Sequence, residues 1–456
     1  MGSTKPAVRH GGLPPGPALP PAAQLLRYAA RPERWLRRCG DRYGGAFTLR
    51  VATLGTVVFF TDPETTRAII SGDPAVYHAS EINMVELMPI VGPHSSFTLD
   101  EDAHARSRQL LAPFFGRDRS RGSGDMIEEV ARREVASWPR GRPFPLRPRM
   151  QDLTLRVMLR VTFGDDIAPR LTELARAVTR MVESGTLVLP LPALRRDLGP
   201  WSPWGRFVRA RARVDSLVHR MIGERRAAGA VDGRADVLSR LAAATDGDGN
   251  ALSETEIRDH VVTVLIAGLE TTSTALSWTF HELARHPAAQ ERVRAERAAG
   301  DDTYTKAVVK ESLRLHPPVL VGPVPMVMED VTLQGFRIPA GTFVTPGTTL
   351  IHHDPGTYPE PDRFRPERFI GSSPPAHRYL PYGWGPHRCI GANLASVEME
   401  RVLGAVLEHV AVTSTTPKPE PGVIRYVTCA PRNGARVVAG PAPRPPHTKR
   451  STHREH

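Results

Sequence analysis

Residues 382–395 read YGWGPHRCIGANLA. One cysteine, Cys389, stands behind Gly383, Gly385, His387 and Arg388 and ahead of Gly391. Glycines let a backbone turn tightly and approach a bulky object. Beyond Gly391, the residues Ala395, Met399, Val402, Leu403, Val406 and Leu407 keep an apolar stripe at helical spacing, so a helix is expected over about 391–410. The thiol then sits just before a helix N-terminus, where the dipole and free N–H groups favour a thiolate, and His387 and Arg388 add positive potential. A thiolate here could be a nucleophile, a redox sensor or a metal ligand. A nucleophile usually needs a base and an oxyanion site, and the spacing shows neither. A lone cysteine among loop glycines is also commonly structural, so the local sequence leaves these readings open.

The rest of the chain narrows them. Of 456 residues, 40% are hydrophobic, enough for a sizeable core. The cysteines are Cys39, Cys389 and Cys429. That odd, low count argues against a disulfide framework, and the lack of a CxxC or a Cys/His quartet argues against zinc ribbons and built-in iron–sulfur clusters. No apolar run approaches bilayer length, so no membrane span is expected. The opening MGSTKPAVRHGGLPPGPALPP lacks the apolar core of a signal peptide, which points to the cytoplasm. The net charge of +12 raises nucleic-acid binding as a reading. The arginines are spread along the chain, however, in runs such as RRDLG and FVRARARV that read as solvated helix faces. No nucleic-acid partner is expected. A basic docking face for an acidic protein is the third reading.

Composition divides the chain into a Pro/Gly-rich disordered tail (1–22), one compact domain (23–440) and a polar, basic disordered tail (441–456). FTLRVATLGTVVFFTD alternates like two strands about a turn. Helical patterns dominate 100–290, strand-like segments with Gly and Pro punctuation fill 318–355, and 355–388 is Pro-rich and irregular. A strand-rich finish covers 424–438. Helix outweighs sheet, and the lack of βα alternation disfavours Rossmann and TIM architectures.

The clearest element is SETEIRDHVVTVLIAGLETTSTALSWTFHELARHP. Ser253 and Glu256 form a capping box and Pro287 ends the helix. At 1.5 Å per residue it spans roughly 50 Å, enough to cross the core. Gly268 in its middle costs about 1 kcal/mol relative to Ala, and the threonines after it can bond back to i−4 carbonyls. Glu270 is a carboxylate in apolar surroundings, expensive without partners or a task. Thr263, Ile266, Ala267, Glu270 and Thr271 share one helical face. A packed core helix with a satisfied Glu fits this segment as well as a functional one.

Together these segments resemble the cytochrome P-450 haem-thiolate monooxygenases in their soluble bacterial form, from about residue 14 to 440. YGWGPHRCIG is similar to the haem-binding loop, with Tyr382, Gly385, His387, Cys389 and Gly391 in its places and Gly383 beside them. AGLETT resembles the oxygen-cleft motif, ESLR the Glu-x-x-Arg motif (Glu311, Arg314), and PERF its companion (Arg368). HARSR has the His-x-x-x-Arg form that pairs the haem propionates (His104, Arg108). Any one motif is weak; five in the right order are not. The resemblance implies a mainly α fold, a triangular helical prism with small β-sheets, and haem b (iron protoporphyrin IX) as cofactor. Cys389 would be the proximal iron ligand, whose electron-rich thiolate favours O–O cleavage. Ala267 and Gly268 would border the cofactor, Gly268 letting the helix open for dioxygen. Thr271 would hold water there, and Glu270 would relay protons. The implied reaction is insertion of one oxygen atom into a hydrophobic small molecule. Rearrangement or coupling without net insertion, and a non-catalytic haem-based sensor, are the alternatives. Glu311, Arg314 and Arg368 would form a buried structural triad, where loss of one member costs roughly 3–5 kcal/mol.

The chain departs from the family at two places. Tyr382 replaces the commoner Phe, so its phenol could donate to the sulfur or face away. GPVPMVMEDV puts Pro325 or Met326 where relatives carry a propionate-binding Arg. HELARH is no zinc-protease helix, since His281 and His286 are i, i+5, and HHDP (352–355) reads as a turn. With no flavin or nicotinamide domain in view, electrons are expected from a ferredoxin and its ferredoxin reductase, docking near Arg106, Arg388 and Arg401. The resemblance draws the substrate pocket from residues near 80–98 and 180–205 and from Thr263, Ile266, Val319, Leu320, Val321, Val427 and Thr428. The aliphatic GTLVLPLPAL and EINMVELMPIVG suggest a terpenoid, steroid, fatty-acyl or polyketide-like substrate.

Overall fold

The longest helix, Glu254–Arg285, starts where the capping box puts it. The Ser253 hydroxyl accepts the Glu256 N–H at 3.1 Å and the Glu256 carboxylate accepts the Ser253 N–H at 2.8 Å. His286 caps its end and Pro287 opens the next helix. The structure is a computed structural model that describes residues 12–442 except 53, 166–169, 190, 229–235 and 246–248. The fold is mainly α, 57% helical with small sheets.

Helix Arg147–Phe163 runs against this central helix, and Gly268 is what lets it come close. A Cβ on Gly268 would lie 2.5 Å from the Met158 sulfur. The expected opening of the helix at Gly268 is therefore corrected: the helix is continuous, and the missing side chain makes room for Met158. Helix Ala392–His409 feeds Met399, Val402, Leu403, Val406 and Leu407 into the same core. One described helix, Glu254–Arg285, is long and apolar enough to cross a bilayer, contrary to the expectation that no run is. Of its most apolar window 83% is buried inside the protein, as for a core helix.

The largest sheet has five strands in the order Ala46–Val51, Gly55–Phe60, Phe343–Pro346, Met326–Val327, Tyr77–His78. Only the Gly55–Phe60 and Phe343–Pro346 pairing is parallel. A hairpin, Gly422–Arg425 with Thr428–Pro431, joins the sheet's core to the central helix: Trp278 Nε1 donates to the Cys429 carbonyl at 2.8 Å. Both tail boundaries move. Residues 12–22, expected to be disordered, are packed: Pro14 is buried, its carbonyl accepts the Thr48 hydroxyl at 2.7 Å, and Pro21 starts a helix. Pro441 still pairs with Val410 in the last strand. The remaining tail residues, 1–11 and 443–456, lie outside the described residues.

Candidate active site

The 382–391 loop is folded by its own backbone. Cys389 N–H donates to the Tyr382 carbonyl at 2.8 Å and Arg388 N–H to the Gly385 carbonyl at 3.1 Å. Gly385 has φ +67°, and a Cβ there would lie 1.8 Å from the Ile70 carbonyl oxygen, so only glycine fits. Gly383 has φ +64°. Gly391 has an ordinary φ of −83°, and its would-be Cβ stands 4.0 Å from Cys389 Sγ, so a side chain there would shoulder the sulfur. Tyr382 faces away from the sulfur: its hydroxyl donates to Ser396 Oγ at 3.1 Å, since Ser396 spends its own proton on the Ala392 carbonyl.

Cys389 is the exposed member of three free cysteines. Burial by the surrounding protein nonetheless pushes its thiol up. The Gly391 N–H, Arg108 and Arg388 pull it down without reversing the shift. The Gly391 N–H and the two arginines thus pull toward the thiolate against the cost of desolvation.

On helix Glu101–Leu111, His104 stacks on His387 with ring centroids 4.2 Å apart. Burial, with His387 and Arg108 adding to it, lowers His104 to about 4, so it is a neutral donor. Arg108 is partly buried beside Cys389 and Arg388. Among the described residues neither Arg108 nor Arg388 has a carboxylate partner. Two unpaired guanidinium groups beside a lone sulfur fit a metal-bearing ligand with acidic groups of its own, as haem is. Pro325 lines a cavity of about 20 Å³ with Trp384, Pro386 and His387, and no Arg or Lys lines it.

The central helix is buried at every residue from Ile257 to Ala284 except Ala267, Gly268 and Thr271. These three, one turn apart, are where it meets open space. Thr271 Oγ1 donates to the Ala267 carbonyl at 2.7 Å, the expected back-bond. Glu270 turns away instead. It is 4% exposed, and both oxygens are held from helix Arg147–Phe163, by Arg147 Nη2 and Gln151 Nε2, each at 2.6 Å. Glu270 is thus a satisfied carboxylate, and the expected relay is locked by two donors that the sequence did not point to. Arg147 had one faint signal: a cation in the first turn of a helix, unfavourable against the dipole unless a carboxylate meets it.

Glu311, Arg314 and Arg368 assemble as expected. Arg314 grips Glu311 at 2.7 and 2.9 Å, and Arg368 Nε reaches it at 3.1 Å. Arg314 also donates to the His352 and Pro361 carbonyls, and Glu311 accepts the Arg365 N–H. His352 is structural: its Nε2 accepts the Leu380 N–H at 2.8 Å and its Nδ1 lies 3.2 Å from the Arg314 carbonyl. Among the described residues no cluster of three or more His, Cys, Asp or Glu side chains is placed to hold a metal ion by itself.

The family model for cytochrome P450 matches residues 13–430. This chain belongs to the cytochrome P450 family. Relatives include cytochrome P450 135B1 of Mycobacterium tuberculosis, 37% identical over 93% of this chain and 91% of its own, and cytochrome P450 138 of the same species, 35% identical over 95% and 97%. Among solved structures, the retinoic acid-bound cyanobacterial CYP120A1 superposes with TM-score 0.80 at 23% identity, covering 94% of this chain and 99% of that one. The heme domain of cytochrome P450DA does so with TM-score 0.80. These two likenesses speak for the fold. The protein is therefore a P450 monooxygenase that binds haem b and draws on a redox partner.

The expected substrate-pocket residues differ in exposure in this P450. Ile266 is buried on the central helix, and Val319 and Val427 are exposed. Leu320 is corrected: it packs with Leu36, Phe47, Phe343 and Cys429 in the β-side core and serves the sheet. Thr263 has its hydroxyl 2.7 Å from Ser95 Oγ and 2.6 Å from the Asp259 carbonyl, so its polar end is spent on structure. Thr428 is fully buried, its hydroxyl 3.3 Å from that of Thr274. Val321 is half-buried against the β-side core. Of the three proposed docking arginines, Arg401 is already paired with Glu128 at 3.0 Å, while Arg106 and Arg388 are exposed.

Proposed function

We propose that this P450 inserts one oxygen atom from dioxygen into a C–H or C=C bond of a hydrophobic small molecule, with electrons from a ferredoxin and its reductase. When bound, haem supplies the redox-active iron at which dioxygen is reduced. The chain's own residues do the rest. Cys389 offers the sulfur donor, and the 382–391 loop fixes its direction. Arg108, Arg388 and His104 would hold the acidic groups of the cofactor. Thr271, its hydroxyl anchored to the Ala267 carbonyl, keeps an oxygen at the open segment of the central helix, where a water can be held and a proton passed. Glu270 can carry a proton only when Arg147 or Gln151 releases one of its oxygens. The exposed Arg106 suits an acidic electron donor. Three free cysteines suit the cytoplasm.

The observation that carries this reading is the gap in the buried central helix at Ala267, Gly268 and Thr271, paired with a cysteine loop flanked by unpaired arginines. The test is the optical spectrum of the reduced protein under carbon monoxide. The thiolate signature should be present, and Cys389→Ala should abolish it. Turnover with labelled dioxygen then separates insertion from rearrangement, since an unlabelled product would mean no net oxygen transfer.

A further inference from the structure

A glycine in mid-helix is destabilising relative to Ala, and the central helix runs through Gly268 unbroken. What the glycine accommodates is one side chain. A Cβ there would lie 2.5 Å from Met158 Sδ, 2.7 Å from its Cε and 2.9 Å from its Cγ. Met158 is 3% exposed on helix Arg147–Phe163. Were packing alone at stake, Ala at 268 opposite a shorter side chain would fill the volume without the glycine's cost. A broken local rule with no evident packing gain marks function in natural proteins. Gly268 is also one of the three half-buried residues, with Ala267 and Thr271, at which the helix meets open space.

The Ala267 carbonyl and the Gly268 N–H belong to one planar peptide unit. Thr271 Oγ1 donates to that carbonyl at 2.7 Å. The hydroxyl at the open segment therefore hangs from the peptide unit against whose other residue Met158 rests. The same neighbouring helix holds Glu270 through Arg147 and Gln151, each at 2.6 Å. Arg147, Gln151 and Met158 stand at i, i+4 and i+11, on one helical face. Residues 267–271 are thus held from helix Arg147–Phe163 at two points. One is ionic and bonded at both carboxylate oxygens. The other is an unbranched thioether, which adapts to an irregular gap where a branched side chain would not. With Thr271 bonded to its own backbone, the place of its hydroxyl follows the place of that peptide unit.

We propose that Met158 is a positioning residue: by resting against Gly268 it sets the place of the Ala267–Gly268 peptide unit, and through it the place of the Thr271 hydroxyl. This rests on the P450 reading of the site. The test uses the haem-loaded protein with carbon monoxide as the probe, read by the carbon–oxygen stretching band of the reduced protein, which responds to a hydroxyl beside the probe. Met158→Leu keeps the volume but brings a branch to the notch, so it should shift the band while the thermal midpoint moves little. Thr271→Val removes the hydroxyl and keeps the branched shape. In that background Met158→Leu should leave the band where Thr271→Val alone puts it. An unmoved band in the Met158→Leu protein overturns the proposal, with or without a lowered midpoint, because that is packing alone. So does an equal shift in both backgrounds, because Met158 would then act without Thr271. Gly268→Ala gives a second arm. Its methyl meets the Met158 sulfur and should shift the band, and adding Met158→Ala, which vacates that space, should return the band toward wild type. A double variant no nearer wild type than Gly268→Ala overturns the proposal. The carbon monoxide spectrum of the wild-type protein keeps the two readings apart: a missing thiolate signature overturns the haem site and this role with it, whereas a normal one with an unmoved band overturns the role of Met158 alone.

Discussion

At the scale of single residues, the site rests on positions that tolerate one amino acid. Gly385 combines φ +67° with a neighbouring carbonyl 1.8 Å from any Cβ. Gly385→Ala should therefore push the cysteine loop off Ile70 and yield protein with under about a tenth of the normal haem content, a drop corresponding to the ~1.4 kcal/mol or more that such strain exceeds. Absorbance per unit protein measures it. Such residues were legible because their chemistry is local. A cysteine framed by glycines and cations announces itself, and so does a Thr after a Gly in an apolar helix. Arg147 and Gln151 were not legible. Their roles come from what stands opposite them, 119 to 123 residues away along the chain in the case of Glu270, and one sequence carries no record of that pairing.

At the scale of elements, the helix Arg147–Phe163 serves the central helix twice. Met158 fills the notch at Gly268, and two turns away Arg147 and Gln151 clamp Glu270. Both central-helix features were read correctly as rule-breaking, but one was assigned the wrong beneficiary: the glycine favours helix packing. The clamp makes a prediction. Arg147→Ala leaves a nearly buried carboxylate with one donor. It should cost about 1–3 kcal/mol, less than a fully buried pair because Arg147 is partly exposed. It should also free Glu270 to exchange protons. Urea denaturation checks the first effect, and the pH profile of product formed per electron consumed checks the second, with the acid limb expected to shift relative to wild type. An unshifted limb would leave Glu270 a structural residue. The strand regions were placed by alternation, while sheet order was not, since register between distant strands depends on the helices that bring them together.

At the scale of the whole molecule, buried titratable groups set a pH window. Burial is the first cause lowering His260, His281 and His353 to about 4 and His352 to about 3. The unfolded chain takes up these protons below about 6.5, so the stability they confer is complete above that pH and is lost on acidification toward 4. Burial also raises Glu398 to about 8 and Glu400 to about 7. Their contribution has the opposite sense: it is full below the unfolded carboxylate range and is lost as pH rises through 7 and 8. Of these groups, the histidines outnumber the carboxyls between about 4.5 and 6.5, and above 6.5 only the two carboxyls titrate. Urea midpoints should therefore peak near pH 6.5 and fall at both 5 and 8, and Glu398→Gln should flatten the alkaline side. A profile that climbs steadily to pH 8 would contradict this balance. His352 carries one more consequence. Its ring spans from the Arg314 carbonyl to the Leu380 amide, and an imidazolium cannot accept that amide. Bleaching of the red protein in strong acid would then time the moment this rivet lets go, and the pigment would serve as a visible gauge of the scaffold.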